Sequence, residues 1–249
     1  MTRIASYPNP LLRSWRLSGG AVQQPNLWYR LLRPVCQVTF TAIWQVRVFN
    51  RHYEPADGGV VYISNHQSFL DPMLVSMALR RPMNYMARDS LFRFPLFRQL
   101  ITSLNAFPVR RGTADLAALK EAMRRIKGVA RRDAPRLGAR AGGQVAVFAE
   151  ATRTRDGRIG PMLPGVAVLS QRAADWTVPV VIDGAFEAWP RTSALPLPGS
   201  IAVQFAPPIS QAQARAMAPE QFVEHVRRIL IDMQADLRRR TGRPPLRYD

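Results

Sequence analysis

Short apolar runs alternate with longer stretches of helical pattern along most of this chain. Five runs rich in valine, isoleucine, alanine or phenylalanine are predicted to be strands, at 60–64, 106–109, 144–148, 178–182 and 201–205. Between and after them lie predicted helices, at 72–79, 92–104, 114–127, 166–174 and 219–240. Strands that alternate with helices are typical of an α/β fold, in which helices cover the sheet. We therefore predict an α/β fold with a central mixed, largely parallel sheet flanked by helices.

The size of the chain suits one domain of this kind. With 249 residues, of which 47% are hydrophobic and 21% charged, it can bury a core and lacks the composition of a disordered protein. We predict a basic N-terminal segment at 1–50 and a single α/β domain at 51–249. The Gly/Arg/Ala-rich stretch at 128–143 is predicted to be a surface loop.

The charge of the chain indicates anionic partners. Basic residues exceed acidic ones, 35 against 17, which gives a formal net charge of +18, and all but two of the basic residues are arginine. Such a balance is compatible with nucleic acid, a phospholipid surface or acidic substrates. The arginines are dispersed, and the sequence contains no recognition-helix, zinc-finger or ribonucleoprotein signature, which argues against nucleic acid.

The stretch 27–49 is the most apolar part of the chain and contains no acidic residue. Its uncharged run of about a dozen residues is shorter than the roughly 20 needed to span a bilayer. Arginines and tryptophans flank that run, which favours an N-terminal helix lying in the membrane interface. The alternative is an amphipathic helix packed on its own domain. Cys36 is the single cysteine and the three histidines lack ligand spacing, so we expect neither a disulfide nor a metal site.

A histidine follows the first predicted strand, and an aspartate comes five residues after it. His66 lies two residues beyond Ser64, and Asp71 precedes Pro72, as expected for an N-cap with proline at N1. Across a strand-to-helix turn the two side chains can meet, and an aspartate bound to one imidazole nitrogen makes the other nitrogen a better general base. The spacing leaves two interpretations open: a His/Asp dyad acting on a substrate hydroxyl, or a turn histidine beside a capping aspartate.

The residues Asn-His-Gln-Ser-Phe-Leu-Asp at 65–71 resemble the NHxSxxD signature (the HX4D motif) of the glycerolipid acyltransferases, the 1-acylglycerol-3-phosphate acyltransferase family. A second block of that family is similar to Ala-Phe-Pro-Val-Arg-Arg-Gly at 106–112, and it implies an arginine that engages the phosphate of the acceptor. Arg111 matches that arginine best, and Arg110 is the close alternative. A guanidinium binds phosphate through two parallel hydrogen bonds and stays charged. A solvated arginine pair at a strand end is the other interpretation.

The residues Phe-Ala-Glu-Ala-Thr-Arg at 148–153 resemble the third block, Phe-Pro-Glu-Gly-Thr-Arg. The resemblance implies that Glu150, Thr152 and Arg153 contact the acceptor. Alanine replaces glycine at Ala151, where a backbone with positive φ would favour glycine. The proline-containing run at 177–185 is similar to the fourth block, which forms a wall of the site.

Four blocks in this order imply transfer of a fatty acyl group from acyl-CoA or acyl carrier protein to the hydroxyl of a lysophospholipid. The first acceptor to consider is 1-acylglycerol-3-phosphate, which would give phosphatidic acid. His66 would act as general base, oriented by Asp71, with no cofactor besides the acyl donor. We expect a peripheral or monotopic protein on an anionic phospholipid surface, at the cytoplasmic face of the bacterial inner membrane. The alternatives are another lyso-lipid acceptor, such as a lyso-ornithine lipid, or a non-enzymatic protein that binds lipid or nucleic acid.

Overall fold

An eight-stranded sheet runs through the part of the chain that the structure, a computed structural model, describes: residues 27–110, 115–128 and 142–248. The strands are β1 (Arg47–Phe49), β2 (Val60–Ser64), β3 (Met83–Arg88), β4 (Ala106–Val109), β5 (Gln144–Phe148), β6 (Trp176–Asp183), β7 (Ala202–Phe205) and β8 (Ile209–Ser210). Their order is β1-β7-β6-β2-β5-β3-β4, and β8 also pairs with β6. In this sheet the pairs β6–β7 and β6–β8 are antiparallel and the remaining pairs are parallel. The predicted mixed, largely parallel sheet is confirmed.

Helices flank the sheet on both faces. They are α1 (Leu27–Trp44), α2 (Asp71–Ala78), α3 (Pro95–Ser103), α4 (Leu116–Lys127), α5 (Gly165–Arg172), α6 (Ala185–Ala188), α7 (Gln211–Arg215) and α8 (Pro219–Arg240), with 3-10 turns at Arg51–Tyr53 and Asp89–Arg93. The interruption predicted at Pro95 is confirmed, because a 3-10 turn ends at Arg93 and α3 starts at Pro95.

The period-two alternation of the strands builds two cores. In β2, the side chains of Val60 and Tyr62 pack with α1 and α2, whereas those of Val61 and Ile63 pack with α4, α5 and α8. All four side chains are at most 1% exposed. The central strand β2 is therefore buried on both faces, as is typical of parallel sheets, and its carboxyl end has a fixed position.

Three strands of the sheet lie outside the predicted runs; one of them is β8, which has only two residues, and the other two are longer. Strand β3 reads Met-Asn-Tyr-Met-Ala-Arg and contains no β-branched residue, so its composition does not predict a strand. Strand β1 has three residues and pairs with β7, about 155 positions away. Long-range pairing, which composition does not reveal, forms both strands. The predicted loop at 128–143 lies almost entirely outside the described residues.

Helix α1 occupies most of the predicted N-terminal interface segment. Its Phe40 and Trp44 are buried against the sheet, and Tyr29 hydrogen-bonds Ser76 of α2 over 3.0 Å. No helix in the described ranges is long and apolar enough to cross a bilayer. The division at residue 50 stays a prediction; strand β1, just before it, belongs to the same sheet as the rest of the chain.

Candidate active site

The carboxyl ends of β2, β5 and β6 meet at one edge of the sheet. The register places Ser64 of β2 beside Phe148 of β5 and, on its other side, beside Val180 of β6. The turns that follow these strands are therefore neighbours, although they are far apart in sequence. In open α/β sheets this edge is where ligands bind.

His66 and Asp71 meet in the turn between β2 and α2. The Nδ1 of His66 lies 2.7 Å from Oδ2 of Asp71, and both residues are buried. An ionised carboxylate can only accept, so the imidazole donates from Nδ1 and a neutral ring keeps its lone pair on Nε2. The ring of Phe148 stacks on the imidazole with 4.4 Å between centroids. This arrangement fixes the orientation and the tautomer of His66.

Asp71 does not have the capping role that its position before Pro72 predicted. Helix α2 starts at Asp71 itself, and its N-cap is Leu70. The Asp71 carboxylate turns back into the preceding turn, where Oδ2 also accepts the backbone N–H groups of Gln67 and Ser68 at 2.6 and 2.8 Å. The N-cap prediction was wrong because three donors in the turn compete for the same oxygen more effectively than the helix does.

Two amide side chains, to which the sequence analysis gave no role, hold this turn against the rest of the molecule. Asn65 donates from Nδ2 to the carbonyl of Ile182 at 2.9 Å and accepts the N–H of the same residue at 2.8 Å. Gln67 donates to the carbonyl of Gly157 and accepts from the N–H of Phe186. Both side chains are about 1% exposed. They could have been noticed as polar residues next to a fully apolar strand.

Glu150 follows β5 and reaches the backbone of the His66 turn. Its Oε1 accepts the N–H of His66 at 2.8 Å, and its Oε2 accepts the N–H of Gly160 at 2.8 Å. Burial raises the pKa of this carboxyl to about 7, against the opposing effect of the two N–H donors. In this arrangement Glu150 holds the backbone of His66 in place through a hydrogen bond. The contact of Glu150 with an acceptor stays a prediction.

Arg153 lies beside the same turn. Its guanidinium carbon is 3.5 Å from the centroid of the Phe69 ring, and that ring is 5.2 Å from the ring of Trp189. Stacking on an aromatic face orients a guanidinium while its edge can still donate. Thr152, its neighbour, is exposed. The structure thus brings Arg153 near the His66 turn, three residues after Glu150.

The arginines of the second block lie at the end of β4. Arg110 is exposed, and its backbone N–H donates to Oδ2 of Asp115 at 2.9 Å. Arg111 lies outside the described residues. Arg110 and His66 both line one cavity of about 440 Å³, whose other walls are mainly apolar and include Met86, Val147 and Leu169. The cavity therefore joins a basic group, an imidazole and an apolar interior.

Ala151, which stands where the resembled block has glycine, adopts a backbone conformation that favours glycine. Its φ is 56°, in the left-handed region. For a residue with a Cβ this conformation costs about 1–2 kcal/mol. The turn after β5 therefore contains a non-glycine residue in a strained backbone conformation.

The described ranges contain no group of three histidine, cysteine, aspartate or glutamate side chains that could hold a metal ion. Cys36 lies in α1, half-buried, and burial raises the pKa of its thiol. The Cys36 thiol is therefore not part of the site around His66.

Comparison with known proteins gives three kinds of match. A sequence model described as acyltransferase matches residues 45–183. A chloroplastic 1-acyl-sn-glycerol-3-phosphate acyltransferase of Brassica napus is 26% identical over 140 residues, and a 1-acyl-sn-glycerol-3-phosphate acyltransferase of Bacillus subtilis is 24% identical over 157 residues. These matches cover 55% and 63% of this chain, but 37% of the plant protein and 71% of the bacterial one.

A solved structure shares the fold. It is the 1-acyl-sn-glycerophosphate acyltransferase PlsC of Thermotoga maritima, which matches with a TM-score of 0.63 and 20% identity over 83% of this chain and 79% of that one. The chain spans little more than a third of the length of the first plant relatives that it matches.

Proposed function

This chain belongs to the acyltransferase family, among the relatives of the 1-acylglycerol-3-phosphate acyltransferases, and we propose that it transfers a fatty acyl group to the hydroxyl of a lysophospholipid. The proposed donor is a thioester, acyl-CoA or acyl carrier protein, and the proposed acceptor is 1-acylglycerol-3-phosphate, the substrate in the names of its relatives. The observation that carries the proposal is the 2.7 Å contact between His66 and Asp71 at the wall of the cavity.

In the proposed reaction, Nε2 of His66 takes the proton of the acceptor hydroxyl as its oxygen attacks the thioester carbonyl. The imidazolium that forms is stabilised by the Asp71 carboxylate at Nδ1. The attack forms the ester C–O bond and gives a tetrahedral intermediate. Its collapse re-forms the carbonyl and breaks the C–S bond, and the proton on Nε2 passes to the leaving thiolate. No covalent acyl-enzyme and no cofactor are needed.

The remaining parts of the site suit the two substrates. The apolar cavity, about 440 Å³ in volume, suits a fatty acyl chain whose thioester end would lie next to His66. Arg153 and the arginines of the second block, Arg110 and Arg111, would hold the acceptor phosphate. Holding the phosphate would fix which hydroxyl faces His66. It would raise the rate by positioning the two reactants, without taking part in the proton transfer itself.

We further propose that α1 rests on a phospholipid surface. Its Leu27, Leu31, Val35 and Val38 lie on one side of the helix and are between 53 and 71% exposed. Their spacing of three and four residues makes a continuous apolar stripe on a segment without acidic residues. A helix of this kind lies in the membrane interface when basic residues accompany it, and the exposed Arg30 does so here.

The test of the chemistry compares two histidines. We expect His66→Ala to lower kcat by 10²-fold or more when thioester consumption is measured with acyl-CoA and 1-acylglycerol-3-phosphate. His225→Ala, at an exposed position of α8, is the matched control and should keep wild-type turnover. Near-normal turnover in folded His66→Ala would refute the general base.

The acceptor is tested separately with the wild-type protein, one acyl-CoA and a panel of lyso-lipids, and the products are resolved by mass. We expect diacyl product from 1-acylglycerol-3-phosphate at the highest kcat/KM. Product only from a lyso-ornithine lipid, or from no phosphate-bearing acceptor, would overturn the proposed substrate while the family assignment stands.

A further inference from the structure

A second apolar surface lies on α3 and on the turn before it. The α3 surface consists of five bulky side chains whose exposed fractions run from 38 to 83%: Leu91, Phe94, Leu96, Phe97 and Leu100. The other side of the same segment buries Phe92 and Ile101 in a small core. None of the five exposed side chains belongs to that small core. Five of them in ten consecutive residues form a contiguous patch of the kind that marks an interaction site.

Basic residues lie among the apolar side chains of the α3 surface, and the neighbouring acidic residue is Asp89 at the start of the 3-10 turn. Arg93 lies among the five apolar side chains and is exposed, and Arg98 lies on α3 itself. The sequence has no acidic residue from Ser90 to Ala114. Apolar side chains interleaved with arginines suit the boundary between headgroups and acyl chains, because the arginine stem lies along the apolar region while its charge stays at the phosphates.

The α3 surface lies on the same face of the sheet as α1. In β3, the alternate residues Met83, Tyr85 and Ala87 point to one face. Met83 packs in the core that contains Phe40 and Trp44 of α1, whereas Ala87 packs with Ile101 of α3, and Tyr85 touches both cores. Within the described residues, two exposed apolar helix faces therefore lie on one face of the sheet.

We propose that the α3 surface docks on an anionic phospholipid bilayer, with Phe94 and Leu96 among the acyl chains and Arg93 at the headgroup phosphates. Strand β4 follows α3 after two residues and ends at Val109, and Val109 and the next residue, Arg110, line the cavity beside His66. Docking at α3 would therefore place the bilayer one strand away from the cavity. The proposal rests on exposure and charge, so it holds whichever lyso-lipid is the acceptor.

Other occupants fit the charge less well. A second copy of this chain would bring arginines against arginines, because residues 90–114 contain no carboxylate and Asp89 is the one acidic residue of the 3-10 turn. The first 26 residues, which lie outside the described part, carry three arginines and no acidic residue, so they offer no complementary charge either. An acidic protein would meet only two arginines here, among five bulky apolar side chains. The surface is therefore too apolar to suit a partner that is recognised mainly by its negative charge.

The test is co-sedimentation of the purified full chain with vesicles of phosphatidylcholine containing phosphatidylglycerol, and with vesicles of phosphatidylcholine alone. Phe94→Ser/Leu96→Ser should weaken partitioning to the anionic vesicles about tenfold or more, because two largely exposed side chains lose their burial in lipid. Arg93→Gln should weaken it about fivefold, and only on anionic vesicles. The thermal unfolding midpoint of each variant checks that it folds.

Matched controls come from other surfaces. Leu195→Ser/Leu197→Ser changes two side chains that are 74 and 62% exposed in the loop before β7, and Arg228→Gln removes an exposed arginine of α8. Both controls should partition like the wild type. Unchanged partitioning of Phe94→Ser/Leu96→Ser would overturn the proposal, as would an equal loss in the Leu195→Ser/Leu197→Ser control. A wild-type dimer that the α3 variant turns into a monomer, with vesicle binding unaltered, would assign the surface to a second copy instead.

Discussion

The backbone N–H of His66 donates to Oε1 of Glu150 across 84 positions of sequence and 2.8 Å of space. The other oxygen of that carboxylate accepts from Gly160 at 2.8 Å. One side chain thus joins the turn after β2 to the loop after β5. In a carboxylate that serves two backbone donors, a change of protonation alters the support of both segments at once.

We expect the stability of the protein to fall as the pH rises through the range in which Glu150 ionises. Its pKa is raised from 4.5 to about 7 in the folded chain, so the folded state binds more protons than the unfolded state between these values. By linkage, the contribution of Glu150 decreases by roughly 2–3 kcal/mol between pH 5 and pH 8. Denaturant unfolding of wild type and Glu150→Gln at both pH values measures it, since the variant lacks this slope.

The control for that experiment is Glu224→Gln, which changes a carboxylate that makes surface ion pairs with Arg227 and Arg228. Its unfolding free energy should follow the wild-type pH dependence. The same pH dependence in Glu150→Gln and in the wild type would contradict the prediction.

Asp71→Asn should lower kcat strongly and change the free energy of unfolding only a little. The amide oxygen can still accept the N–H groups of Gln67 and Ser68, but the group no longer carries the charge that stabilises an imidazolium at His66. We expect kcat to fall about 10²- to 10⁴-fold with little change in KM. Steady-state kinetics with acyl-CoA measures it, with Asp236→Asn on α8 as the control that keeps kcat. A variant with wild-type kcat would mean that Asp71 serves only the turn.

Ala151→Gly should stabilise the protein by about 0.5–1 kcal/mol, because glycine adopts the φ of 56° without the Cβ strain. The opposite change at Gly157, where φ is 85°, should destabilise it by about 1–2 kcal/mol. A methyl group at Gly157 would meet Leu246 and Phe186 at an ordinary 3.6 Å, so the cost comes from the backbone. Chemical denaturation of Ala151→Gly and Gly157→Ala measures the change in the free energy of unfolding of each variant. Changes of the same sign in both variants would refute the strain argument.

Tyr248→Phe should lower both stability and kcat. The Tyr248 hydroxyl accepts the N–H of Ile159 at 2.9 Å and donates to Gln234, so it fixes the loop in which Gly160 binds Glu150. Loss of this partner leaves a buried N–H unpaired, at a cost of about 1–3 kcal/mol.

The control is Tyr29→Phe, which removes the 3.0 Å hydrogen bond between the Tyr29 hydroxyl and Ser76 on the opposite face of the sheet. It should cost stability and leave kcat unchanged. An equal fall of kcat in both variants would show that Tyr248 acts only through general stability.

What could be predicted from the sequence depends on how far apart the interacting residues are. The strands at Val60–Ser64 and Gln144–Phe148 were predicted with their correct bounds because their apolar composition is a local signal. The proximity of His66 and Asp71 could be anticipated because five residues of turn join them. The Glu150 bonds could not, since they end on backbone N–H groups that leave no mark in composition. Only the N-cap role given to Asp71 was wrong, because a local rule for helix starts ignored the donors in the preceding turn.

The pairing of β1 with β7 sets an order for the synthesis of this protein. Residues Arg47–Phe49 leave the ribosome long before their partners at Ala202–Gln204. Since strands separated by so much chain pair late, the edge of the sheet next to α1 closes only after most of the domain has been translated. Throughout that interval α1, which carries Leu27, Leu31 and Val35, lies beside a sheet whose edge strand is not yet paired.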